Sequence, residues 1–185
     1  MIKYFETIRC DKGKVYYLQY HKKRIFNTIG KELNFILTPP DNNLYRCKVI
    51  YTKDKICDIS YYPYSLKEIK RFKIIFDDNI QYSSKYLDRS CIDRYKSDIY
   101  DEIIFVKNGY ITDTSIANIA IFLDNEWITP IKPLLYGTTR QRYIDTFILT
   151  EANITIDMMK RSDKIMLLNA MSVREFKQNS YTIIE

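Results

Sequence analysis

The tetrapeptide Gly137-Thr138-Thr139-Arg140 stands where a loop gives way to a helical pattern. The first turn of a helix leaves its N–H groups unpaired and carries the positive end of the helix dipole, so it suits a phosphate. Gly137 lets the backbone approach closely, and the two threonines add hydroxyls. An ordinary capped helix uses the same residues, and the tetrapeptide alone does not separate the two readings. Asp113, flanked by Thr112, Thr114 and Ser115, follows a strand. A carboxylate there either holds a protonated heterocycle nitrogen or closes an Asx turn. Asn118 and Asn169 each interrupt an apolar stretch, Ile116 to Leu123 and Ile165 to Met171. An amide in a near-core strand must be hydrogen-bonded, whether to backbone or to a cofactor or substrate. Ser83-Ser84-Lys85 opens a helical pattern, which sets the Lys85 ammonium at the positive end of a dipole. That placement lowers a lysine pKa, as an amine nucleophile requires, although a solvated lysine has the same local sequence. Arg24 is a helix-face arginine, open to the same two readings.

Other chemistries lack their residues. Cys10, Cys47, Cys57 and Cys91 are scattered with no C-x-x-C pair, and His21 is the single histidine. A zinc site or a thioredoxin-like motif has no support, and no metal site is expected. The N-terminus has an early acid and no apolar h-region, so the cysteines are expected as reduced cytoplasmic thiols in or near the core. Lysines and arginines number 29 against 23 acids, a net charge of +6. The two signs alternate, as in Lys67-Glu68-Ile69-Lys70-Arg71, with no clustered patch to suit nucleic acid. What remains is a solvated surface, or a local positive field for an anionic small molecule. No run of 18 apolar residues exists to span a membrane.

The elements that must hold these residues mix hairpins with isolated helices. Ile2 to Arg9 and Val15 to Tyr20 read as a hairpin about Asp11-Lys12-Gly13-Lys14. Ile25, Ile29 and Leu33 then recur as on one helix face. Tyr45 to Thr52 and Ile56 to Tyr62 form a second strand pair, and a domain boundary is expected near residue 65, dividing 1–65 from 66–185. Beyond it come a strand at Phe72 to Phe76 and a helix at Lys85 to Tyr95, with Leu87, Cys91 and Ile92 inward. Hairpins follow at Glu102 to Thr112 and Ile116 to Thr129. A helix is expected at Thr139 to Thr150 with Tyr143, Ile144, Phe147 and Ile148 at core spacing, then strands at Ile154 to Ile156 and Ile165 to Leu168. This order argues for an α+β fold rather than a doubly wound sheet. Neither G-x-G-x-x-G nor a P-loop is present.

Taken in order, the fragments resemble the fold-type IV, or class IV, pyridoxal-phosphate aminotransferases. That family includes branched-chain and D-amino acid aminotransferases and 4-amino-4-deoxychorismate lyases. Phe5-Glu6-Thr7-Ile8-Arg9 resembles the family's first strand, and His21-Lys22-Lys23-Arg24-Ile25 its H-x-x-R-L motif. Lys85-Tyr86-Leu87-Asp88-Arg89 resembles K-x-x-N-R. Asp101-Glu102 through Gly109, Thr112, Asp113, Ser115 and Asn118 resembles D-E-x-L … G-x-V-x-E-x-S-x-x-N. Thr129-Pro130 with Leu135-Tyr136-Gly137-Thr138-Thr139-Arg140 resembles T-P … L-x-G-I-T-R. The resemblance implies a D-amino acid aminotransferase-like fold, with a small N-terminal α/β domain, here shortened, and a C-terminal pseudo-barrel domain. It implies pyridoxal 5'-phosphate as cofactor, bound to Lys85 as a Schiff base, and a homodimer. Asp113 would stand where the family has a glutamate against the pyridine nitrogen, with about 1.5 Å less reach. Arg24 and the N–H groups of Thr138 and Thr139 would hold the phosphate, with Gly137 and Asn118 lining the cofactor. Asn169 and Ala170 fall at the cofactor's edge, where lyases of the family carry N-A-L or N-S-L and aminotransferases a G-T or T-T pair.

The resemblance therefore implies a lyase that releases pyruvate and 4-aminobenzoate, a folate precursor. The alternative is an aminotransferase acting on branched-chain or D-amino acids. A third reading, of another class, is a non-catalytic or basic binding module.

Overall fold

The computed structural model describes residues 1–184. Contacts divide the chain into two compact units, Met1–Leu66 with Ser84–Asp88, and Lys67–Ser83 with the chain from Arg89 onward. Among the described residues no helix is long and apolar enough to cross a membrane.

In the first unit, strand β1 (Tyr4–Asp11) turns through Lys12 and Gly13, both at positive φ, into the two-residue β2 (Lys14–Val15). The expected second arm stops there. Tyr17, at φ 54°, redirects the chain into helix α1 (Leu18–Ile29). Gly30, at φ 75°, ends α1 and donates its N–H to the Phe26 carbonyl at 2.7 Å. Leu33 therefore lies outside the helix it was expected to extend. Strands β3 (Tyr45–Tyr51) and β4 (Ile56–Pro63) complete an antiparallel sheet of order β2-β1-β3-β4. Its inner face is apolar at Ile8, Cys10, Cys47 and Val49. Alternation along β1 puts Glu6 on the same face as Ile8 and Cys10.

The segment Ser84–Asp88 corrects the sequence reading. Phe5 donates its N–H to the Lys85 carbonyl at 2.9 Å, Leu87 donates to Lys3, and Tyr86 bridges Tyr4. The backbone groups a helix would use are committed to β1, so no helix starts at Lys85. Helical structure begins later, in the single turn α2 (Ser90–Asp93), with Ile92 buried but Cys91 half-buried. The dipole argument for Lys85 falls with the missing helix.

The second unit is a nine-stranded mixed sheet. Its path runs β10 (Thr150–Ala152), β9 (Glu126–Pro130), β8 (Asn118–Leu123), β7 (Tyr110–Thr114), β6 (Glu102–Lys107), β5 (Arg71–Phe76) and β13 (Thr182–Ile184). Strand β11 (Lys164–Leu168) pairs with β8 and carries β12 (Val173–Lys177). Pleating gives β8 and β11 two apolar faces. Ile119, Ile121, Ile165 and Leu167 join the main core with Met159 of helix α4 (Ile156–Arg161). Ala120, Met166 and Leu168 face Leu149, with Tyr143 and Ile144 of helix α3 (Thr138–Asp145) packed against them.

Two expectations fail here. Phe147, at φ 57°, is 96% exposed and Ile148 is 47% exposed, so neither reaches the core. α3 ends at Asp145, which takes both residues off its apolar face. Residues 154–156 are not a strand either: Thr155 caps α4 by accepting the Met158 N–H, and β10 forms earlier, in parallel with β9. Of the cysteines, Cys10 and Cys47 are buried, whereas Cys57 is exposed because it lies on the outward side of the edge strand β4.

Candidate active site

Asp113 and Asn118 face each other in register across the tight turn between β7 and β8. The turn is closed by Thr114, whose N–H donates to the Ala117 carbonyl and whose hydroxyl accepts the Ala117 N–H. It is clamped from outside. Arg89 donates to the Ser115 carbonyl at 2.6 Å, and the Ser115 N–H donates to the buried Glu102 carboxylate at 2.9 Å. Burial pushes the Glu102 carboxyl upward, against the donors from Ser115 and Ile103.

Asp113 is buried. One oxygen accepts from Asn118 Nδ2 at 2.6 Å and the other from the Leu135 N–H at 2.8 Å. Asn118 Nδ2 also donates to the Leu135 carbonyl at 2.8 Å. Burial pushes the Asp113 carboxyl up to about 7, and the neutral donors and the field of Arg140 only partly offset it. Among the described residues it has no ion-pair partner, so a fully enclosed acid is aimed by neutral groups and lacks a cation in contact.

Gly137 opens α3 two residues beyond Leu135. Its φ of −74° is ordinary, so backbone freedom is not its purpose. A Cβ there would sit 1.8 Å from Asn118 Oδ1. Only glycine lets the start of α3 close onto Asn118. No side chain caps this end, and the Gly137 carbonyl accepts the Gln141 N–H, so the N–H groups of Thr138 and Thr139 head the helix. Thr138 and Thr139 are buried. The Thr139 hydroxyl donates its proton to the Asn169 carbonyl at 2.9 Å, which ties α3 to the β11–β12 turn. Asn169 Oδ1 accepts the N–H groups of Met171 and Ser172, and Ala170 sits inside that turn. The Asn169 amide oxygen therefore serves the backbone of its own turn.

In the first unit, His21 and Arg24 lie three residues apart on α1 and both grip Glu6. His21 Nδ1 lies 2.6 Å from Glu6 Oε2, Arg24 Nε donates to Oε1 at 2.9 Å, and Arg24 Nη2 donates to Oε2. Burial alone would raise the Glu6 carboxyl, but the Arg24 charge and the His21 hydrogen bond outweigh it and hold it at about 2. Burial lowers the His21 pKa despite Glu6. The ring is thus neutral at pH 7 and donates from Nδ1. Lys85 Nζ lies 4.7 Å from the centroid of the Phe5 ring.

The expected residues thus fall into two groups. Asp113, Asn118, Gly137, Thr138, Thr139 and Asn169 are joined by contacts within the second unit, with Ala170 beside Asn169. Arg24 and Lys85 belong to the first. Sequence reasoning gave no role to Glu6, Glu102, Arg89 or Arg140. For Glu6 the signal was present: an acid on the period-two face that also carries Ile8 and Cys10.

The fold is that of the fold-type IV enzymes, as its match to solved structures shows. A sequence model of class IV aminotransferases matches residues 92–177. An uncharacterized protein of Haemophilus influenzae is 32% identical, over 91% of this chain and 97% of its own. A Haemophilus somnus 129pt protein, provisionally named 4-amino-4-deoxychorismate lyase, superposes with a TM-score of 0.81 at 28% identity, covering 92% of this chain and 97% of that one. A Mycobacterium tuberculosis protein named a hypothetical aminotransferase, in its PLP-bound form, superposes with a TM-score of 0.74 at 15% identity, over 94% of this chain and 79% of its own. The chain belongs to the class IV aminotransferase family and is an enzyme of that pyridoxal-phosphate-dependent group.

Proposed function

We propose that this enzyme is a 4-amino-4-deoxychorismate lyase that uses pyridoxal 5'-phosphate. The observation that carries the cofactor assignment is Asp113: a buried carboxyl aimed by Asn118 and Leu135, pushed up to about 7 for want of a cation in contact. A protonated pyridine nitrogen would supply that cation. Beside it, the N–H groups at the start of α3 suit the phosphate, and a side chain at Gly137 would collide with Asn118.

When bound, the cofactor supplies an aldehyde for the substrate amine and a conjugated ring that accepts an electron pair. The chain does the rest. Asp113 would hold a proton on the ring nitrogen, and beside that charge its own carboxyl would return to the ionised form. The family resemblance implies that the Thr138 and Thr139 N–H groups, and Arg24, would hold the phosphate. The Thr139 hydroxyl proton is committed to Asn169, so toward an anion this hydroxyl can only accept. Lys85 would hold the cofactor through its aldehyde carbon before substrate arrives. Its Nζ then takes the proton from the amine-bearing carbon of the substrate. The electron pair left behind completes the aromatic ring as the bond from the neighbouring carbon to the enolpyruvyl oxygen breaks. Enolpyruvate takes a proton on carbon and leaves as pyruvate, and 4-aminobenzoate remains.

Asn169-Ala170-Met171 favours the lyase, since it resembles the lyase form of this turn rather than a G-T or T-T pair. So does the likeness to the Haemophilus somnus protein. The second reading, an aminotransferase of branched-chain or D-amino acids, draws on the family as a whole. Both readings take an anionic small molecule, and both fit a cytoplasmic homodimer in a folate or amino-acid route. Incubation with 4-amino-4-deoxychorismate is expected to release equal amounts of pyruvate and 4-aminobenzoate. Accumulation of pyridoxamine phosphate and a keto acid from an amino donor, with no 4-aminobenzoate, would instead establish transamination.

A further inference from the structure

We propose that Glu6 is a positioning residue, which by clasping Arg24 together with His21 sets the Arg24 guanidinium for the cofactor's phosphate. The inference rests on the cofactor reading above. Its basis is the geometry of one buried cluster. On a helix, positions three apart share a face, so His21 and Arg24 both point toward β1. The carboxylate they meet has no exposed surface, while the Arg24 side chain keeps 12% of its own. The cluster therefore runs from a sealed acid to a guanidinium at its border. Arg24 offers Nε and Nη2 to Glu6, the fork contact that fixes a guanidinium plane. His21 donates to the same carboxylate and fixes its orientation in turn.

An apolar residue at position 6 would continue the face formed by Ile8 and Cys10 with no charge to bury. Replacing buried ion pairs by apolar groups is often neutral for stability. A role beyond packing explains the acid. Net charge separates that role from simple attraction. With His21 neutral, the Glu6 and Arg24 charges cancel. Removing the Glu6 charge makes the cluster one unit more positive. If attraction governs phosphate binding, the loss tightens it. If Glu6 positions Arg24, the loss loosens it.

The test titrates the full-length apoprotein with pyridoxal 5'-phosphate and with pyridoxal, which has the same ring and aldehyde but no phosphate. Glu6→Gln is expected to raise the Kd for pyridoxal phosphate about tenfold while leaving that for pyridoxal unchanged. Glu6→Asp keeps the charge but retracts it by about 1.5 Å, and is expected to shift the same ratio in the same direction. It decides the matter should Glu6→Gln fail to fold. In an Arg24→Gln background, Glu6→Gln is expected to cost nothing further. Unchanged or tighter binding of pyridoxal phosphate by both Glu6 variants overturns the inference. So does an equal loss for both probes, which marks a merely structural role. A wild-type protein that binds neither probe overturns the cofactor reading as well, a result distinct from normal wild-type binding with indifferent variants.

Discussion

Asp113 is a carboxyl whose surroundings are complete except for a positive charge in contact. Asn118 and the Leu135 N–H orient it, and burial holds it protonated up to about 7. Asp113→Asn keeps the shape and removes the anion. The variant is expected to retain cofactor but to lose about a hundredfold in kcat, the scale seen when a single preorganised electrostatic contact is removed. Normal turnover would show that another group steadies the ring nitrogen. Lys85→Ala is expected to abolish the yellow, borohydride-reducible chromophore and the cofactor-sized mass increase that reduction leaves on the protein. Gly137→Ala puts a methyl into Asn118, whose Oδ1 would lie 1.8 Å from the new Cβ. Moving Asn118 also frees Asp113, so the variant is expected to lose about 1–3 kcal/mol in chemical denaturation together with cofactor affinity. Asn118→Gly in the same chain relieves the clash, and recovered stability would confirm the contact. At this scale the sequence was informative about residue type. It showed an isolated Asp, an interrupting Asn and a loop glycine, but not that the three touch. Their contacts follow from the β7–β8 turn and from α3 closing on it, which no local pattern states.

The hairpins were legible because period-two apolarity and a turn signal are local. β3 with β4, β6 with β7, and β8 with β9 all form where alternation and Gly, Asn or Asp placed them. The helices were less so. Lys85 to Tyr95 has helical spacing, yet Lys85 and Tyr86 pair with β1 instead. A tertiary ladder overrides propensity when the strand edge is available. α3 was placed correctly at its start and too long at its end, because Phe147 adopts the left-handed conformation that its apolar character gave no reason to expect. Beside its apolar contacts, α3 is held by Arg140, which is 1% exposed. It donates to the Pro130 carbonyl at 2.7 Å and to Glu151 at 2.5 Å, linking α3 to β9 and β10. Glu151→Ala leaves a buried guanidinium with one neutral acceptor. The expected cost is about 2 kcal/mol in chemical denaturation, less than for a sealed pair because Glu151 is partly exposed. An unchanged midpoint would mean that Pro130 and solvent suffice for Arg140.

Over the whole molecule, the buried titratable groups pull stability in opposite directions as pH changes. Glu6 is held at about 2 against an ordinary 4.5. Between those values the unfolded chain binds the extra proton, so stability rises with pH and is lost as pH falls through the window. His21 acts in the same sense over a higher range: its pKa is lowered below 6.5, so the unfolded chain is the more protonated and stability again rises with pH. Asp113 acts oppositely. Its folded carboxyl titrates at about 7 against an ordinary 3.8, so between them the folded chain holds the extra proton and stability falls as pH rises. Glu102, also raised, adds to that fall. The total curve mixes these four groups with other shifted carboxyls, Asp77 and Asp101 among them, and identifies none of them, but a difference does. Asp113→Asn removes one falling contribution and leaves the others. The apo variant is therefore expected to gain in Tm relative to apo wild type as pH increases from about 4 to 7. Saturating pyridoxal phosphate supplies Asp113 with its cation, so the advantage is expected to vanish or reverse in the holo proteins. A gap between the two apo proteins that stays flat across this range would mean that Asp113 is already ionised in the empty fold, and the case for a missing cation at that carboxyl would fail.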